Sequence, residues 1–294
     1  VNKLTTNGGK QSVHNQRPPK PILERIPFGK SVLFHFAQKR LKKQTKNMYP
    51  APLMALKVVK ESYTKPLSQG LDIEAKGFGE LAPGDISKSL IELFFTNEAL
   101  KKETGPPSGA LANINNVGIL GAGLMGGGIA WALSHKGLNT RLKDLDWFLI
   151  GKALETARSL FQAQVKKRRI KPHELQSKMD KISGTLDYKG LQNSQVIIEA
   201  IPENMDLKKN VFKELEGFLQ KDCIIASNTS ALSISEMASV LRSPERFIGM
   251  HFFSPVNRMP LVEVIPGKNT NNETIATIMK LAKDMGKTAI LVKD

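Results

Sequence analysis

The 294-residue chain has one cysteine, Cys223, and its aromatic residues make up only 6% of the sequence. A single thiol cannot close an internal disulfide, so the disulfide-stapled secreted domains are excluded and a reducing compartment is expected. Cys223 sits in the apolar run Cys223-Ile-Ile-Ala226, the setting of a core thiol rather than a nucleophile. No apolar run approaches the roughly 20 residues of a membrane-spanning helix, and no secretory leader is visible. The first residue is Val1 rather than methionine, as expected of a piece of a longer protein. Acid is scarce beside base: 27 Asp and Glu against 43 Lys and Arg, a formal net charge of +16. Such a balance suits an anionic partner or a solvated surface. The densest basic runs, Lys39-Arg-Leu-Lys-Lys43 and Lys166-Lys-Arg-Arg169, lack interleaved aromatics and no nucleic-acid motif accompanies them. A nucleic-acid partner is therefore not expected, and a phosphate-bearing small substrate or a basic helix face is.

What is present begins with Val117-Gly-Ile-Leu-Gly-Ala-Gly-Leu-Met-Gly126. An apolar strand turns into an apolar helix through Gly121, Gly123 and Gly126. The first glycine permits the tight turn, the second lets the backbone approach a pyrophosphate, and the third packs helix on strand. Gly121, Gly123, Leu124, Met125 and Gly126 are thus the phosphate-side positions, where a helix N-terminus offers free N–H groups. A second strand, Thr140-Arg-Leu-Lys-Asp144, ends in an acid eighteen residues after Gly126. A carboxylate there accepts from a ribose 2′-hydroxyl, which favours NAD over NADP. Arg141 and Lys143 could argue for NADP, but alternation makes them strand positions rather than phosphate ligands.

Residues 1–22 are polar and proline-rich, and an extended or disordered segment is expected there. Residues 23–104 read as four helices without strands, a weak core alone. Gly105-Pro-Pro-Ser-Gly109 opens a linker over 105–114. From 115 to 294 strands and helices alternate, with strands near 116–120, 139–144, 196–200, 223–227, 246–253, 261–265 and 288–292. Helices are expected near 124–136, 148–168, 207–219, 232–240 and 272–285. This predicts an α/β fold: a Rossmann-like, doubly wound, mostly parallel sheet behind an N-terminal helical segment.

In such a sheet ligands sit at the carboxyl ends of the strands. Those ends carry Glu199-Ala-Ile-Pro-Glu203-Asn204 with Lys208 beyond it, then Ser227-Asn-Thr-Ser230, then His251-Phe-Phe-Ser254-Pro255. A histidine among apolar residues is ordinarily a hydrogen-bonded core residue. Glu263 changes that reading, because it interrupts the apolar strand Leu261-Val-Glu-Val-Ile265, where an unpaired carboxylate is costly. Asn257 lies midway between the two, so a hairpin would set His251 opposite Glu263. Glu263 would then orient and stabilise the imidazolium, His251 would take a proton from a substrate hydroxyl as hydride leaves the same carbon, and Ser230 could bond the reacting oxygen. A buried ion pair that merely fixes the hairpin is the competing reading.

These motifs, in this order and spacing, resemble the NAD-binding domain of the L-3-hydroxyacyl-CoA dehydrogenases throughout residues 115–294. The resemblance implies that His251 is the catalytic base, Glu263 its carboxylate partner and Ser230 the serine at the substrate oxygen. It implies Asp144 at the adenosine ribose and Glu203, Lys208 and Asn228 on the nicotinamide side. A helical pair around Ala153–Lys181 resembles the insertion that helps hold coenzyme A. Two departures stand out: Ser254 replaces the asparagine usual in single-function members, and Pro202 precedes Glu203.

Residues 25–104, through Glu24-Arg-Ile-Pro-Phe28, Tyr49-Pro-Ala-Pro-Leu53, Gly77-Phe-Gly-Glu-Leu81 and Lys101-Lys-Glu-Thr104, resemble the segment joining hydratase to dehydrogenase in the multifunctional α-subunit of fatty acid β-oxidation complexes, the bacterial form above all. The resemblance implies an acyl-CoA substrate, an enoyl-CoA hydratase domain before this segment, a helical domain after it and a thiolase β-subunit as partner. It also implies homo-oligomer contacts and a bacterial cytoplasm or, alternatively, a mitochondrial matrix. On this resemblance both flanking domains are expected to fall outside residues 1–294. From another class comes the alternative of an NAD-binding scaffold with little turnover alone.

Overall fold

The computed structural model describes residues 28–103, 105–107 and 113–294. The expectation for residues 1–22 and part of that for 105–114 lie outside them. The chain divides into two units between Phe95 and Thr96. That division falls inside a helix, α4 (Asp85–Lys102). The last turn of α4 belongs with the second unit, where the carbonyl of Lys101 accepts from Lys283 Nζ at 3.4 Å.

The first unit holds α1 (Gly29–Thr45), α2 (Pro50–Ser62), α3 (Leu67–Leu81) and most of α4. Pro50 and Pro52 open α2, where a missing N–H costs nothing. α3 lies close on α2 at Gly77, whose absent Cβ would stand 2.9 Å from Val58. Phe36, Leu67, Phe78 and Phe94 remain exposed, as four helices with no sheet to cover would leave them.

The second unit is one eight-stranded sheet in the order β3-β2-β1-β4-β5-β6-β7-β8. Its strands are β1 (Asn116–Leu120), β2 (Asn139–Lys143), β3 (Ile182–Thr185), β4 (Val196–Glu199), β5 (Ile224–Ser227), β6 (Phe247–Phe252), β7 (Leu261–Pro266) and β8 (Thr288–Leu291). All neighbours run parallel except β6 and β7. Order reverses between β1 and β4, the switch point at which such sheets open a crevice. β1 and β4 are buried almost throughout, as central parallel strands covered on both faces must be.

The helices of this unit are α5 (Leu124–His135), α6 (Trp147–Lys166), α7 (Pro172–Met179), α8 (Met205–Glu216), α9 (Ile234–Ala238) and α10 (Asn272–Asp284). β3 is absent from the strands expected of the sequence, and α7 is expected only through the family resemblance. β3 is a four-residue edge strand, Ile-Ser-Gly-Thr, that buries only Ile182 and Thr185 and so has no apolar alternation to read. α6 and α7 form the expected helical pair after Asp144.

Candidate active site

Two groups of residues gather at the carboxyl ends of the strands. The first surrounds the glycine turn. Gly121 has φ +98°, and a Cβ there would meet the carbonyl oxygen of Ala200 at 2.5 Å. A Cβ on Gly126 would stand 1.8 Å from the carbonyl oxygen of Gly121, so α5 can reach β1 only without one. Gly123 differs: a Cβ there would meet no protein atom within 4 Å. Packing does not demand that glycine. It lies on the wall of a cleft of about 1320 Å³ that is also lined by Gly121, Leu124, Met125 and Asp144. No side chain caps α5, whose first N–H groups open at this wall.

Asp144 is held on two sides, Oδ2 accepting from Ala122 N and Oδ1 from Leu145 N, each at 2.6 Å. Arg141 turns away and donates from Nε to the carbonyl of Lys189 at 3.3 Å. Lys143, although a strand position as expected, does reach the cleft wall, and its ammonium sits 4.8 Å from the centre of the Tyr188 ring. Burial and the neighbouring Glu214 push the Tyr188 phenol up to about 12.

The second group lies at the ends of β4 to β7. β6 and β7 pair antiparallel with His251 directly opposite Glu263. His251 Nδ1 is 2.7 Å from Glu263 Oε2, and its Nε2 is 3.2 Å from Ser230 Oγ. Carboxylate, imidazole and hydroxyl thus form one chain of contacts, with Nε2 beside the hydroxyl of the exposed Ser230. Lys287 Nζ donates to the carbonyls of Val256 and Met259 and fixes the hairpin loop.

Glu203 continues the line. Its Oε1 accepts from Thr229 Oγ1 at 2.5 Å and Ser230 N at 2.9 Å, and its Oε2 lies 3.2 Å from Lys208 Nζ. Burial opposes the charge on Glu203, but these hydrogen bonds and the lysine together hold its carboxyl below the usual range. Lys208 is 1% exposed, so it lies beneath the site and acts on it through Glu203. Asn228 Oδ1 accepts from Phe252 N at 2.8 Å. Its carbonyl therefore ties β5 to β6, which leaves the amide N–H₂ as the part suited to a ligand. Among the described residues no group of three or more His, Cys, Asp or Glu could hold a metal ion.

Residues 116–294 match the family described as 3-hydroxyacyl-CoA dehydrogenase, NAD binding domain. The chain belongs to this family. Among solved structures, the (S)-3-hydroxybutyryl-CoA dehydrogenase of Ralstonia eutropha is similar at 41% identity over 62% of this chain and 64% of its own, with a TM-score of 0.61. The 3-hydroxybutyryl-CoA dehydrogenase of Escherichia coli is similar at 27% identity over 62% of this chain and 39% of its own, with a TM-score of 0.61. The dehydrogenase part of a multifunctional enzyme from C. elegans is similar at 28% identity over 67% of this chain and 47% of its own, with a TM-score of 0.58. The chain thus spans less than two thirds of the length of each of these relatives.

NAD is the cofactor of this dehydrogenase domain, and the residues present fit it. The space that a Cβ on Gly123 would fill suits a pyrophosphate against the N-terminus of α5. Asp144, oriented by two backbone N–H groups, suits a ribose hydroxyl. Glu199, Ser227 and Thr229, quoted among the strand-end residues without an assigned role, are bonded into the site: Glu199 to Lys208 and Ser227, and Thr229 to Glu203. Glu199 ends the apolar run Val196-Ile-Ile just as Glu263 interrupts one, and the same burial argument applied there would have found it.

Proposed function

We propose that this chain is the cofactor-binding and proton-transferring part of an enzyme that oxidises (3S)-3-hydroxyacyl-CoA to 3-oxoacyl-CoA. The line Glu263–His251–Ser230 carries this reading. NAD supplies the hydride acceptor. Ser230 Oγ and His251 Nε2 converge where a substrate hydroxyl would bind. His251 takes the hydroxyl proton on Nε2 while the C3–H bond breaks with its electron pair, and the C3–O bond becomes a carbonyl. Glu263 stabilises the resulting imidazolium from Nδ1 and holds the ring in the tautomer whose Nε2 accepts. In the reverse direction the same imidazolium returns the proton.

On this reading the longer protein serves fatty acid β-oxidation. It also carries an enoyl-CoA hydratase, pairs with a thiolase β-subunit, forms homo-oligomer contacts, and works in a bacterial cytoplasm or a mitochondrial matrix. The motifs of residues 25–104 and the likeness to the dehydrogenase part of a multifunctional enzyme support this. The test is NADH consumption with acetoacetyl-CoA beside NADH binding by calorimetry. Wild type should bind and turn over. His251→Ala should stay folded and bind NADH but lose roughly 10²- to 10⁴-fold in turnover, the usual range for a general base. Undiminished turnover in that variant would sink the mechanism, and binding without turnover by folded wild type would favour the scaffold.

A further inference from the structure

Beneath the cofactor loop lies a carboxylate that the proton transfer does not use. Glu199, at the end of β4, is 0% exposed. Its Oε1 accepts from Lys208 Nζ at 2.6 Å and from Ile201 N at 2.8 Å, and its Oε2 accepts from Ser227 Oγ at 2.5 Å. Desolvating both ions of such a pair is expensive, and an apolar pair of similar volume is often as stable. Stability alone therefore gives no reason for it to be there.

Position does. The ammonium that Glu199 holds also lies 3.2 Å from Glu203 Oε2. Glu203 in turn accepts from Ser230 N at 2.9 Å, and Ser230 Oγ is 3.2 Å from His251 Nε2. Each step from the buried carboxylate to the reacting histidine is a hydrogen bond or an ion pair. The backbone joins in, since the carbonyl of Glu199 accepts from Asn228 N at 2.8 Å. We propose that Glu199 is a positioning residue for the nicotinamide end of the cofactor site: it holds the Lys208 ammonium from below, so that Lys208 fixes Glu203 and Glu203 fixes the Ser230 loop opposite His251. Without that charge the ammonium falls to Glu203 alone, and the carboxylate that bonds Ser230 N is drawn off its place. This rests on the NAD reading above. The adenosine end is held by other residues, the glycine turn and Asp144, which the Glu199 side chain does not bond.

That asymmetry supplies the test. Glu199→Gln keeps the shape and an acceptor for Ile201 N but removes the charge. Binding of NADH and of ADP-ribose, which lacks nicotinamide, is measured by calorimetry on the full chain. NADH affinity should fall about tenfold or more while ADP-ribose affinity stays within about twofold, the loss being that of one charge-assisted contact. Unchanged NADH affinity, or equal loss for both probes, overturns the proposal. If Glu199→Gln does not fold, Ser227→Ala decides, because it removes only the hydroxyl on Oε2. A loss of about threefold or more confined to NADH carries the proposal, and no loss overturns it. Wild type that binds neither probe refutes the cofactor reading and this inference with it. Wild type that binds both, matched by its variants, overturns the positioning role alone.

Discussion

Gly123→Ala separates what the glycine turn does for the fold from what it does for the cofactor. Gly123 is the N-cap of α5 with φ −70°, a conformation open to alanine. The new methyl would meet no protein atom within 4 Å. Alanine is a poorer N-cap than glycine by roughly 0.5–1 kcal/mol, while it removes about 0.4–1 kcal/mol of unfolded-state freedom. These nearly cancel, so the melting temperature should move by less than about 2 °C. The methyl would, however, occupy the wall that a pyrophosphate must approach. Losing one charged hydrogen bond there costs roughly 1.5–3 kcal/mol, or about 10- to 100-fold in NADH affinity. Gly126→Ala should do the opposite first. Its methyl falls 1.8 Å from the carbonyl oxygen of Gly121, a backbone atom that cannot swing aside. Overpacking of that kind costs about 3 kcal/mol, a fall of roughly 6–12 °C for a unit of this size. Thermal melts and NADH calorimetry on both variants decide. A folded Gly123→Ala chain that binds NADH within about twofold of wild type would refute the placement of the pyrophosphate.

Two further outcomes follow from the ionisations. The carboxyls of Glu203 and Asp294 both titrate below their ordinary values of 4.5 and 3.8. In each, burial is outweighed by hydrogen bonds: from Thr229, Ser230 and Lys208 on Glu203, and from Ser233, Ile234 and Ser235 on Asp294. A depressed folded value means that their stabilisation is complete above about pH 5 and is lost as pH falls through the folded values. The urea midpoint should therefore drop on acidification, and less steeply in Glu203→Gln; a parallel drop in that variant contradicts the assignment. Burial pushes the Cys223 thiol up to about 12, so it should resist iodoacetamide at pH 8 in the native chain and react on unfolding, as intact mass would show.

The pairing of His251 with Glu263 was legible in the sequence because two charged or polar residues stood in apolar strands, and burial leaves such groups few options but each other. The loop centred on Asn257 then set the register, and β6 and β7 pair in that register. β3 was not legible, since its contribution is a close approach of backbone to α6 rather than an apolar stripe: a Cβ on Gly184 would stand 2.5 Å from Ile150. The carbonyl of Asn228 was not legible either, because its acceptor role depends on where Phe252 N falls across the sheet.

Lys208 marks the boundary between the two cases. The family resemblance implies that it faces the nicotinamide side. Its helix says otherwise: Lys208, Phe212 and Leu215 are the buried residues of α8, spaced four and three apart on one face. A lysine on the apolar stripe of a helix needs a buried anion, just as a glutamate ending an apolar strand needs a buried cation. Glu199 ends the strand that precedes α8, so each is the nearest solution to the other's problem, and the structure joins them at 2.6 Å. The burial argument that found His251 and Glu263 within a hairpin thus extends across a strand and the helix that follows it. What it could not give is the second partner of that ammonium, because Glu203 Oε2 comes within 3.2 Å of Lys208 Nζ only through the fold of the loop between β4 and α8.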